Sequence, residues 1–409
     1  MKVLGIIAEY NPFHNGHLYH LEESKKAAKA DYTIAIISGN FSQRGNTSII
    51  DKWAKTEMAL SNGIDLVIEL PTIYSISSAE NFADGAVKIL DALKVVDTIS
   101  FGAETTDVNI LDKFATILHT EPKEYVSILN HELSKGVSYP KARENALLLY
   151  LNDIRRYANV LSSPNNILGI EYLKALKKHK SSIKPITIKR TSVDYHELTP
   201  FDKFASASAI RDMLINKRTR NLRNYIPRES YNILANSVQS GKYVLNLDKF
   251  EKEIIYTLRK MTVEQIADLP DVSEVLEHSI KKAANSCNNL KELINIIKSK
   301  RYTQTRIQRI LLYALLNITK KDMLNSYKTL PYIRVLGMNS NGKKLLSVIC
   351  GANPKLNIIT SVKKFMDVST NKSLKSMLEK DIFATNVYSL GFTKDSWANL
   401  DYTQKLITY

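Results

Sequence analysis

The sequence predicts an α/β protein, with a parallel sheet covered by helices in its first half and a basic, mostly helical second half. Short apolar runs of strand length alternate with helical segments over the first 190 residues, which is typical of a parallel sheet buried on both faces. At 409 residues, the chain is long enough for two or three domains of roughly 100–200 residues each. The net positive charge is confined to one half of the chain.

Five apolar runs predict the strands of the sheet. Helices are predicted between them over His17–Ala30 and Ser78–Leu93, and residues 105–180 are mostly helical. Such a sheet binds ligands at the carboxyl ends of its strands, around the point where the strand order reverses. The predicted strands are Lys2–Ala8, Tyr32–Ser38, Asp65–Glu69, Asp97–Phe101 and Pro185–Arg190.

The second half has a different pattern. A helix is predicted over Ser208–Leu214, and past Arg228 the chain is rich in helices, with a few short strands such as Tyr332–Leu336. The change in charge and pattern predicts a boundary between residues 1–222 and 223–409.

Charge divides the chain in the same way. Residues 1–200 hold 23 Lys and Arg against 23 Asp and Glu, and residues 201–409 hold 34 against 18. The second half therefore carries the whole net charge of +16. A neutral half joined to a basic half predicts that one does chemistry while the other binds a polyanion, although charge alone also allows an idle basic surface.

Several classes of protein are excluded by composition. No apolar run approaches the roughly 18 residues that a membrane helix needs. Six apolar residues precede Glu9, which is too few for a signal peptide, so we expect a cytoplasmic protein without a membrane partner. Two cysteines, Cys287 and Cys350, cannot build a disulfide framework or a zinc ribbon.

The strongest motif is His-x-Gly-His at residues 14–17, directly after the first predicted strand and at the start of the first helix. A helix N-terminus attracts phosphates, and Gly16 lets a flat base or ribose approach the backbone. His14 and His17 are three residues apart, so both rings can face one phosphoryl group. The alternatives are a capping loop with incidental histidines and a zinc site that includes His20, for which no cysteine or carboxylate supplies the remaining ligands.

The strand, His-x-Gly-His motif and helix resemble the nucleotidyltransferase superfamily of adenylyltransferases and class I aminoacyl-tRNA synthetases, which implies a Rossmann-like fold. Ser206, Ser208 and Arg211 resemble the superfamily's second signature, which implies that they bind the β- and γ-phosphates of ATP. A KMSKS sequence is absent, which argues against a synthetase.

A closer resemblance extends over most of the chain. The segments GIIAEYNPFHNGHLYHL, SGNFSQRGNTSIIDKWAK, DLVIELP, SFGAE, SPNNILGIEYLKAL and YTQTRIQRILLYALL resemble the bacterial tRNA(Met) cytidine acetate ligases. The resemblance implies that ATP and acetate form an acetyl-adenylate, whose acetyl group passes to N4 of the wobble cytidine of elongator tRNA(Met). It also implies Mg²⁺ beside ATP, no DNA partner, a catalytic ATP-binding domain at residues 1–222 and a tRNA-binding domain at residues 223–409.

The resemblance places His14 and His17 in catalysis and implies an ATP site on both sides of them. Asn165 has an alternative role as a helix cap, and Arg190 as an unliganded arginine at a strand end. The implied ATP-binding residues are Ile7, Ala8, Glu9, Tyr10, Asn11, Pro12, Phe13, His14, Asn15, Gly16, His17, His20, Gly102, Asn165, Arg190 and Thr191.

The loop after the second predicted strand lies at the same edge of the sheet. Arg44 is therefore a further phosphate-binding candidate, with Asp51 and Lys52 in support. Glu9 is a candidate Mg²⁺ ligand, although a structural hydrogen bond explains it equally well.

Two basic groups are candidates for tRNA binding. Helical spacing over residues 304–316 puts Arg306 and Arg309 on one face, and Tyr302 and Tyr313 are candidates to stack on anticodon bases. An ordinary solvated helix face is the alternative. The first group is Lys298, Lys300, Arg301, Arg306 and Arg309, and the second is Lys217, Arg218, Arg220 and Arg223.

Two other functions remain open at this point. A small-molecule adenylyltransferase would share the His-x-Gly-His motif but gives no reason for a basic second half. A non-catalytic RNA-binding protein would bind tRNA without ATP turnover, which the intact His14 and His17 argue against.

Overall fold

The computed structural model describes residues 1–190, 204–273 and 275–409 of the chain. Their central feature is an eight-stranded sheet in the order β5-β4-β1-β2-β3-β6-β7, with β8 paired to β6. Neighbouring strands run parallel except β3 and β6, which are antiparallel. The strands are β1 (Val3–Ala8), β2 (Tyr32–Ser38), β3 (Leu66–Leu70), β4 (Thr98–Ala103), β5 (Lys184–Lys189), β6 (Ile333–Met338), β7 (Ile358–Ile359) and β8 (Ile407–Thr408).

The α/β fold predicted from the sequence is confirmed, and each of the five predicted strands is present. Their order, β3-β2-β1-β4-β5, is that of a doubly wound sheet. Successive strands extend away from β1 on one side and then, after β3, continue on its other side. The order therefore reverses between β1 and β4, and a ligand crevice is expected where the carboxyl ends of these two strands diverge.

Helices flank the sheet in the first part of the chain and dominate the second part. The first group is α1 (Asn15–Ala28), α2 (Lys52–Ser61), α3 (Thr72–Ser75), α4 (Ala79–Ala92), α5 (Val108–Thr120), α6 (Lys123–Ser134), α7 (Tyr139–Leu151), α8 (Ile154–Ser162), α9 (Pro164–Lys178) and α10 (Ala207–Ile215). The second group is α11 (Arg228–Gln239), α12 (Glu251–Lys260), α13 (Val263–Ala267), α14 (Leu276–Ser286), α15 (Leu290–Ile297), α16 (Gln304–Leu315), α17 (Lys320–Lys328), α18 (Ser340–Ala352), α19 (Val362–Val368), α20 (Lys372–Leu390) and α21 (Leu400–Thr403), with 3₁₀ turns at Leu222–Asn224 and Leu247–Phe250.

Strand β2 shows why its sequence is apolar without interruption. Ile34 and Ile36 belong to the core on one face of the sheet, whereas Ala35 and Ile37 belong to a second core on the other face. Successive side chains of a strand point to opposite faces, so a strand that is covered on both sides needs an apolar residue at every position.

The second half of the chain also contributes strands to the sheet. Strand β6, predicted at Tyr332–Leu336, pairs with β3 through Val335 and Ile68. Beneath it lies a buried ionic cluster in which the Lys52 ammonium is 2.9 Å from Glu69 and 2.7 Å from Asp401, and Arg334 pairs with both carboxylates. The sheet therefore takes strands from both sides of the boundary expected at residue 222.

A helix that crosses a membrane needs about 20 mostly apolar residues. Among the helices of residues 1–190, 204–273 and 275–409, none is both long enough and apolar enough to cross one.

Candidate active site

The His-x-Gly-His motif lies between the end of β1 and the first turn of α1. His14 precedes the helix as its N-cap residue, with φ −136° and ψ 172°. Its ring stacks on the ring of His17, with centroids 3.7 Å apart. The His14 backbone N–H donates to His17 Nδ1 at 3.3 Å. Because Nδ1 accepts this bond, a neutral His17 carries its proton on Nε2.

Desolvation keeps all three histidines of this segment neutral, with His14 buried and His17 and His20 half-buried. Desolvation, followed by the charges of Arg190 and Arg211, lowers the pKa of His14 to about 3. Desolvation lowers the pKa of His17 well below its usual value, and lowers that of His20 to about 4. Near neutral pH, the rings therefore offer hydrogen bonds without carrying a positive charge.

Gly16 makes room for a neighbouring ring. A Cβ atom at this position would lie 2.9 Å from His14 Cε1 and 3.0 Å from His14 Nδ1. The glycine is thus needed for the packing of His14, whereas the sequence had suggested that it leaves space for a base or ribose. His14 Nδ1 is buried and has no hydrogen-bond partner among the described residues.

The Ser-x-x-Arg signature is brought to the same loop. Arg211 Nη1 donates to the Asn11 carbonyl at 3.0 Å, and its Nη2 donates to Ser208 Oγ at 3.0 Å. Ser206 Oγ caps α10 by accepting from the Ala209 N–H at 3.1 Å. Burial lowers the pKa of Arg211, while the charge of Glu9 raises it. Arg211 and Ser208 therefore lie beside the loop that leads to His14.

The first turn of α1 is not wholly open to a ligand. The Asn15 N–H donates to the Tyr225 carbonyl at 2.9 Å, and Asn15 Nδ2 donates to the Asn224 carbonyl at 2.8 Å. Asn15, implied by the resemblance to touch ATP, thus holds the segment that follows α10 against the start of α1.

The other wall of the crevice is formed at the ends of β4 and β5. A Cβ atom on Gly102 would lie 3.1 Å from Arg190 Cγ and 3.9 Å from His20 Cδ2, so these three residues meet. Arg190 Nη1 donates to Asn165 Oδ1 at 3.2 Å. Ser163 is the N-cap residue of α9, so the alternative role of Asn165 as the cap is wrong. Thr191 lies outside the described residues.

The loop after β2 reaches the crevice through Glu9. The Gln43 N–H donates to Glu9 Oε1 at 2.7 Å. Arg44 is exposed, and its charge contributes to the lowered pKa of Arg211, so it lies near the phosphate-binding candidates. Lys52, by contrast, is fully buried in the ionic cluster beneath β6 and cannot support Arg44 at the surface. Asp51 caps α2 through the Ala54 N–H at 2.8 Å.

The apolar residues of the motif support the loop from inside. Tyr10 and Phe13 are buried with ring centroids 4.8 Å apart, and Tyr10 adopts a left-handed backbone conformation with φ 46°. Asn11 Oδ1 accepts from the Ile49 N–H at 2.8 Å. Most of the implied ATP-binding residues on this side of the motif therefore support the loop from within the protein. Ala8 is half-buried, and the buried ones are Ile7, Tyr10, Asn11, Pro12 and Phe13.

Lys55 was not singled out by the sequence. Its ammonium is fully buried and donates to the carbonyls of Glu9, Ser38 and Gly39 at 3.0, 2.6 and 2.7 Å. Burial lowers its pKa to about 7. In the sequence, Lys55 is marked only by its place in the segment SGNFSQRGNTSIIDKWAK. Its acceptors lie at the ends of β1 and β2, so no local pattern indicates these contacts.

The basic cluster around α16 differs from the sequence prediction. Arg309 is buried, and its Nε donates to Asp271 at 2.8 Å. Arg306 donates to the Asp271 carbonyl and to Ser273 Oγ, both at 2.7 Å. Arg309, a tRNA-binding candidate with a solvated helix face as its alternative, is therefore not on an exposed face, because Asp271 from another part of the chain packs against it. Lys298, Lys300 and Arg301 are exposed.

Tyr313 is also placed differently from the prediction. It is buried, and its hydroxyl donates to the Ile76 carbonyl at 2.9 Å, so it is a core residue and cannot stack on a base. The Arg306 guanidinium packs over the Tyr302 ring, with its central carbon 5.1 Å from the ring centroid.

The second basic group adjoins the active-site loop. Lys217, Arg218, Arg220 and Arg223 are exposed on the segment between α10 and the Tyr225 carbonyl that binds Asn15. Arg218 pairs with Asp212 at 2.6 Å. We refer to residues 217–223 as the basic loop.

Histidine, cysteine and carboxylate side chains are the usual metal ligands in proteins. Within the parts of the chain that the structure describes, His, Cys, Asp and Glu form no group of three or more that would hold a metal ion. In nucleotide sites, Mg²⁺ commonly takes ligands from the phosphates.

The sheet is doubly wound, and the His-x-Gly-His motif lies at its switch point with its two histidine rings stacked and arginines around them. This arrangement defines a nucleotidyltransferase-type protein. The family model described as HIGH Nucleotidyl Transferase matches residues 1–402. Two relatives named tRNA(Met) cytidine acetate ligase, from Thermoanaerobacter sp. (strain X514) and Thermosipho africanus, are 48% and 40% identical; the matches cover 100% and 98% of this chain and 100% and 95% of theirs. The chain belongs to the tRNA(Met) cytidine acetate ligase family.

Solved structures agree with this assignment. Thermotoga maritima TmcAL bound with alpha-thio ATP is 35% identical and superposes with a TM-score of 0.92, covering 100% of this chain and 99% of that one. The apo form of the Thermotoga maritima protein superposes with a TM-score of 0.94 over the same shares.

Proposed function

We propose that this protein acetylates N4 of the wobble cytidine of elongator tRNA(Met), with ATP and acetate as co-substrates. The observation that carries the proposal is the convergence of His14, His17, Arg190 and Arg211 at the switch point of the sheet. Family membership supports the choice of substrates, because the relatives are named for the tRNA and for acetate. A solved relative that holds an ATP analogue supports the nucleotide.

In the first step, an acetate oxygen attacks the α-phosphorus of ATP. A new bond forms between acetate and phosphorus, the bond to the bridging oxygen of the β-phosphate breaks, and pyrophosphate leaves. Neutral His14 and His17 suit hydrogen bonding to the crowded phosphoryl oxygens, because donors fixed in a desolvated site stabilise developing charge. Arg211 and Ser208 are suited to receive the departing pyrophosphate.

In the second step, the cytidine amine attacks the acyl carbon of the acetyl-adenylate. The carbon–nitrogen bond forms, AMP leaves with the electron pair of the broken acyl–oxygen bond, and the amine loses a proton. Neither step needs a nucleophilic side chain, so positioning and electrostatics supply the catalysis. The wobble base must leave its stack to reach the crevice, at a cost of a few kcal/mol.

Mg²⁺ fits this site as a companion of the nucleotide. Glu9 Oε1 accepts from the Gln43 N–H, and a carboxylate offers a second oxygen that suits an ion held by the phosphates. The ion would neutralise phosphate charge when bound.

The tRNA is proposed to approach across the basic loop, with Lys298, Lys300 and Arg301 as more distant contacts. The loop is exposed, follows the helix that carries Arg211, and leads to the backbone that binds Asn15. Phosphate contacts of this kind position an RNA without reading its sequence.

The test is mass spectrometry of nucleosides from tRNA(Met) after incubation with the protein, ATP and carbon-13 acetate. The proposal predicts labelled N4-acetylcytidine that requires both ATP and acetate. Unlabelled product formed only with acetyl-CoA, or no product at all, would contradict it.

A further inference from the structure

Glu104 directly follows strand β4, at the edge of the crevice where the strand order reverses. Its side chain is exposed, and it lies two residues beyond Gly102. Glu104 ends the segment SFGAE, which carries part of the family resemblance, but the sequence alone predicts no role for it. The structure gives it contacts with two neighbouring residues of helix α9.

Glu104 binds the start of α9 through both its carboxylate and its backbone. Oε1 accepts from Asn165 Nδ2 at 2.5 Å, and Oε2 accepts from the Asn166 N–H at 3.3 Å. In return, the backbone N–H groups of Glu104 and Thr105 both donate to Asn166 Oδ1 at 3.0 Å. A carboxylate at a helix N-terminus is also stabilised by the free N–H groups of the first turn.

These contacts fix the orientation of the Asn165 amide. Its Nδ2 faces an acceptor that cannot donate, the Glu104 carboxylate, while its Oδ1 faces a donor that cannot accept, the Arg190 guanidinium. A flipped amide would place its NH₂ group against Arg190 and its oxygen against Glu104, which would lose both bonds. Only one orientation therefore satisfies both neighbours.

The orientation matters because the Asn165 amide links α9 to the Arg190 guanidinium. Arg190 is exposed at the end of β5, and its charge acts on His14, His17 and His20. A long exposed side chain loses entropy when it is held in one position, and a preoriented acceptor reduces that loss when a ligand binds.

We propose that Glu104 is a positioning residue of the ATP site, which orients the Asn165 amide so that Asn165 in turn holds the Arg190 guanidinium for the nucleotide. The inference rests on the proposed function only in taking ATP as the ligand of this crevice. Glu104 itself acts through Asn165.

The test is a double-mutant cycle on the dissociation constant for ATP, measured by calorimetry on the full chain without acetate or tRNA. Glu104→Ala is expected to weaken ATP binding about 5–10-fold, which is the net effect of one ordinary hydrogen bond, because Glu104 acts on the nucleotide only through Asn165. In the Asn165→Ala background, the same change is expected to cost less than about 2-fold, because the residue through which Glu104 acts has been removed.

Glu80→Ala provides the matched control. The Glu80 carboxylate is also exposed and also binds α9, through Lys174 Nζ at 2.7 Å, but it contacts neither Asn165 nor Arg190 in the described structure. Its removal should leave ATP binding unchanged. An equal loss from Glu104→Ala in both backgrounds, or no loss in the wild-type background, would overturn the inference.

The measurement separates this inference from the proposed function. If the wild-type protein binds ATP but makes no N4-acetylcytidine, the proposed function fails while the cycle still tests Glu104. If the wild-type protein does not bind ATP, both fail together.

Discussion

The arginines of the crevice and Arg309 of helix α16 show how differently the same side chain is used in two regions of the molecule. Arg190 and Arg211 bind neutral groups, the Asn165 amide, the Asn11 carbonyl and Ser208 Oγ. Arg309 is buried against the Asp271 carboxylate instead. In the crevice, the positive charge remains available to an anionic ligand, whereas at α16 a carboxylate compensates it.

The comparison shows that the number of basic residues in a segment does not identify a binding surface. Both regions were predicted to bind phosphates, the crevice from its resemblance to the nucleotidyltransferases and α16 from basic residues at helical spacing. What separates Arg190 and Arg211 from Arg309 is whether an acidic residue from elsewhere in the described parts of the chain pairs with the guanidinium. Predictions that alter each region separately therefore test this distinction.

The largest expected effect is in the crevice. His17→Ala should lower acetylation of tRNA(Met) by about 10²–10³-fold, since it removes one preorganised donor from a desolvated site. Affinity for tRNA, measured by filter binding, should stay within about 2-fold. His278→Ala, which alters a histidine with a 65% exposed side chain, is the control and should keep full activity. Full activity in the His17 variant would remove this ring from the mechanism.

At α16, the expected effect is on stability. Arg309→Ala leaves Asp271 partly buried without its partner, so we expect the free energy of unfolding to fall by roughly 2–4 kcal/mol. Urea denaturation measures this change, with the exposed Lys300→Ala as a control that should be neutral. A variant that keeps wild-type stability but loses tRNA affinity would restore Arg309 as an RNA contact.

The basic loop should govern tRNA binding. Replacing Lys217 and Arg220 together with alanine should weaken binding and reduce the slope of log affinity against log salt by about 1–2, the loss of one or two phosphate contacts. Lys363 and Lys364, exposed on α19, provide a double-alanine control of equal charge. An unchanged slope in the loop variant would place the RNA elsewhere.

The smallest effect concerns pH. The folded-state pKa values of His14 and His20 lie at about 3 and about 4, below the ordinary value of 6.5, so the unfolded chain binds more protons between these limits. Above pH 6.5, each histidine is neutral in both the folded and the unfolded chain, and stability is at its full value. As the pH falls from 6.5 towards the folded pKa, each histidine lowers the free energy of unfolding by up to about 1.4 kcal/mol per pH unit.

Denaturation curves between pH 7 and pH 5 measure this loss. His20→Asn should flatten the pH dependence of the free energy of unfolding, and His278→Asn should not. Parallel curves for wild type and the His20 variant would show that His20 is not buried in its neutral form.

Sequence patterns that are local in the chain predicted the structure well. The five strands and the motif at residues 14–17 follow from apolar runs and a short motif whose chemistry is fixed by neighbours in sequence. The approach of Ser208 and Arg211 to that motif was implied by the resemblance to the nucleotidyltransferase superfamily. Membership of the family, inferred from the quoted segments, was confirmed by relatives that match the whole chain.

Contacts between distant residues were harder to predict. Asp271 lies 38 residues before Arg309, and the acceptors of Lys55 come from the ends of β1 and β2, so neither pairing leaves a local signal. Strand β6 was predicted as an element, but its antiparallel pairing with β3 was not, because a short apolar run does not specify its partner.

The most direct test of the account is ATP–pyrophosphate exchange by the purified protein, with acetate present, absent or replaced by propionate, and with tRNA added in a parallel series. The account predicts exchange that depends on acetate and disappears in the His17→Ala variant. Exchange that proceeds without any carboxylate, or no exchange with acetate even when tRNA is present, would contradict the claim that this crevice adenylates acetate.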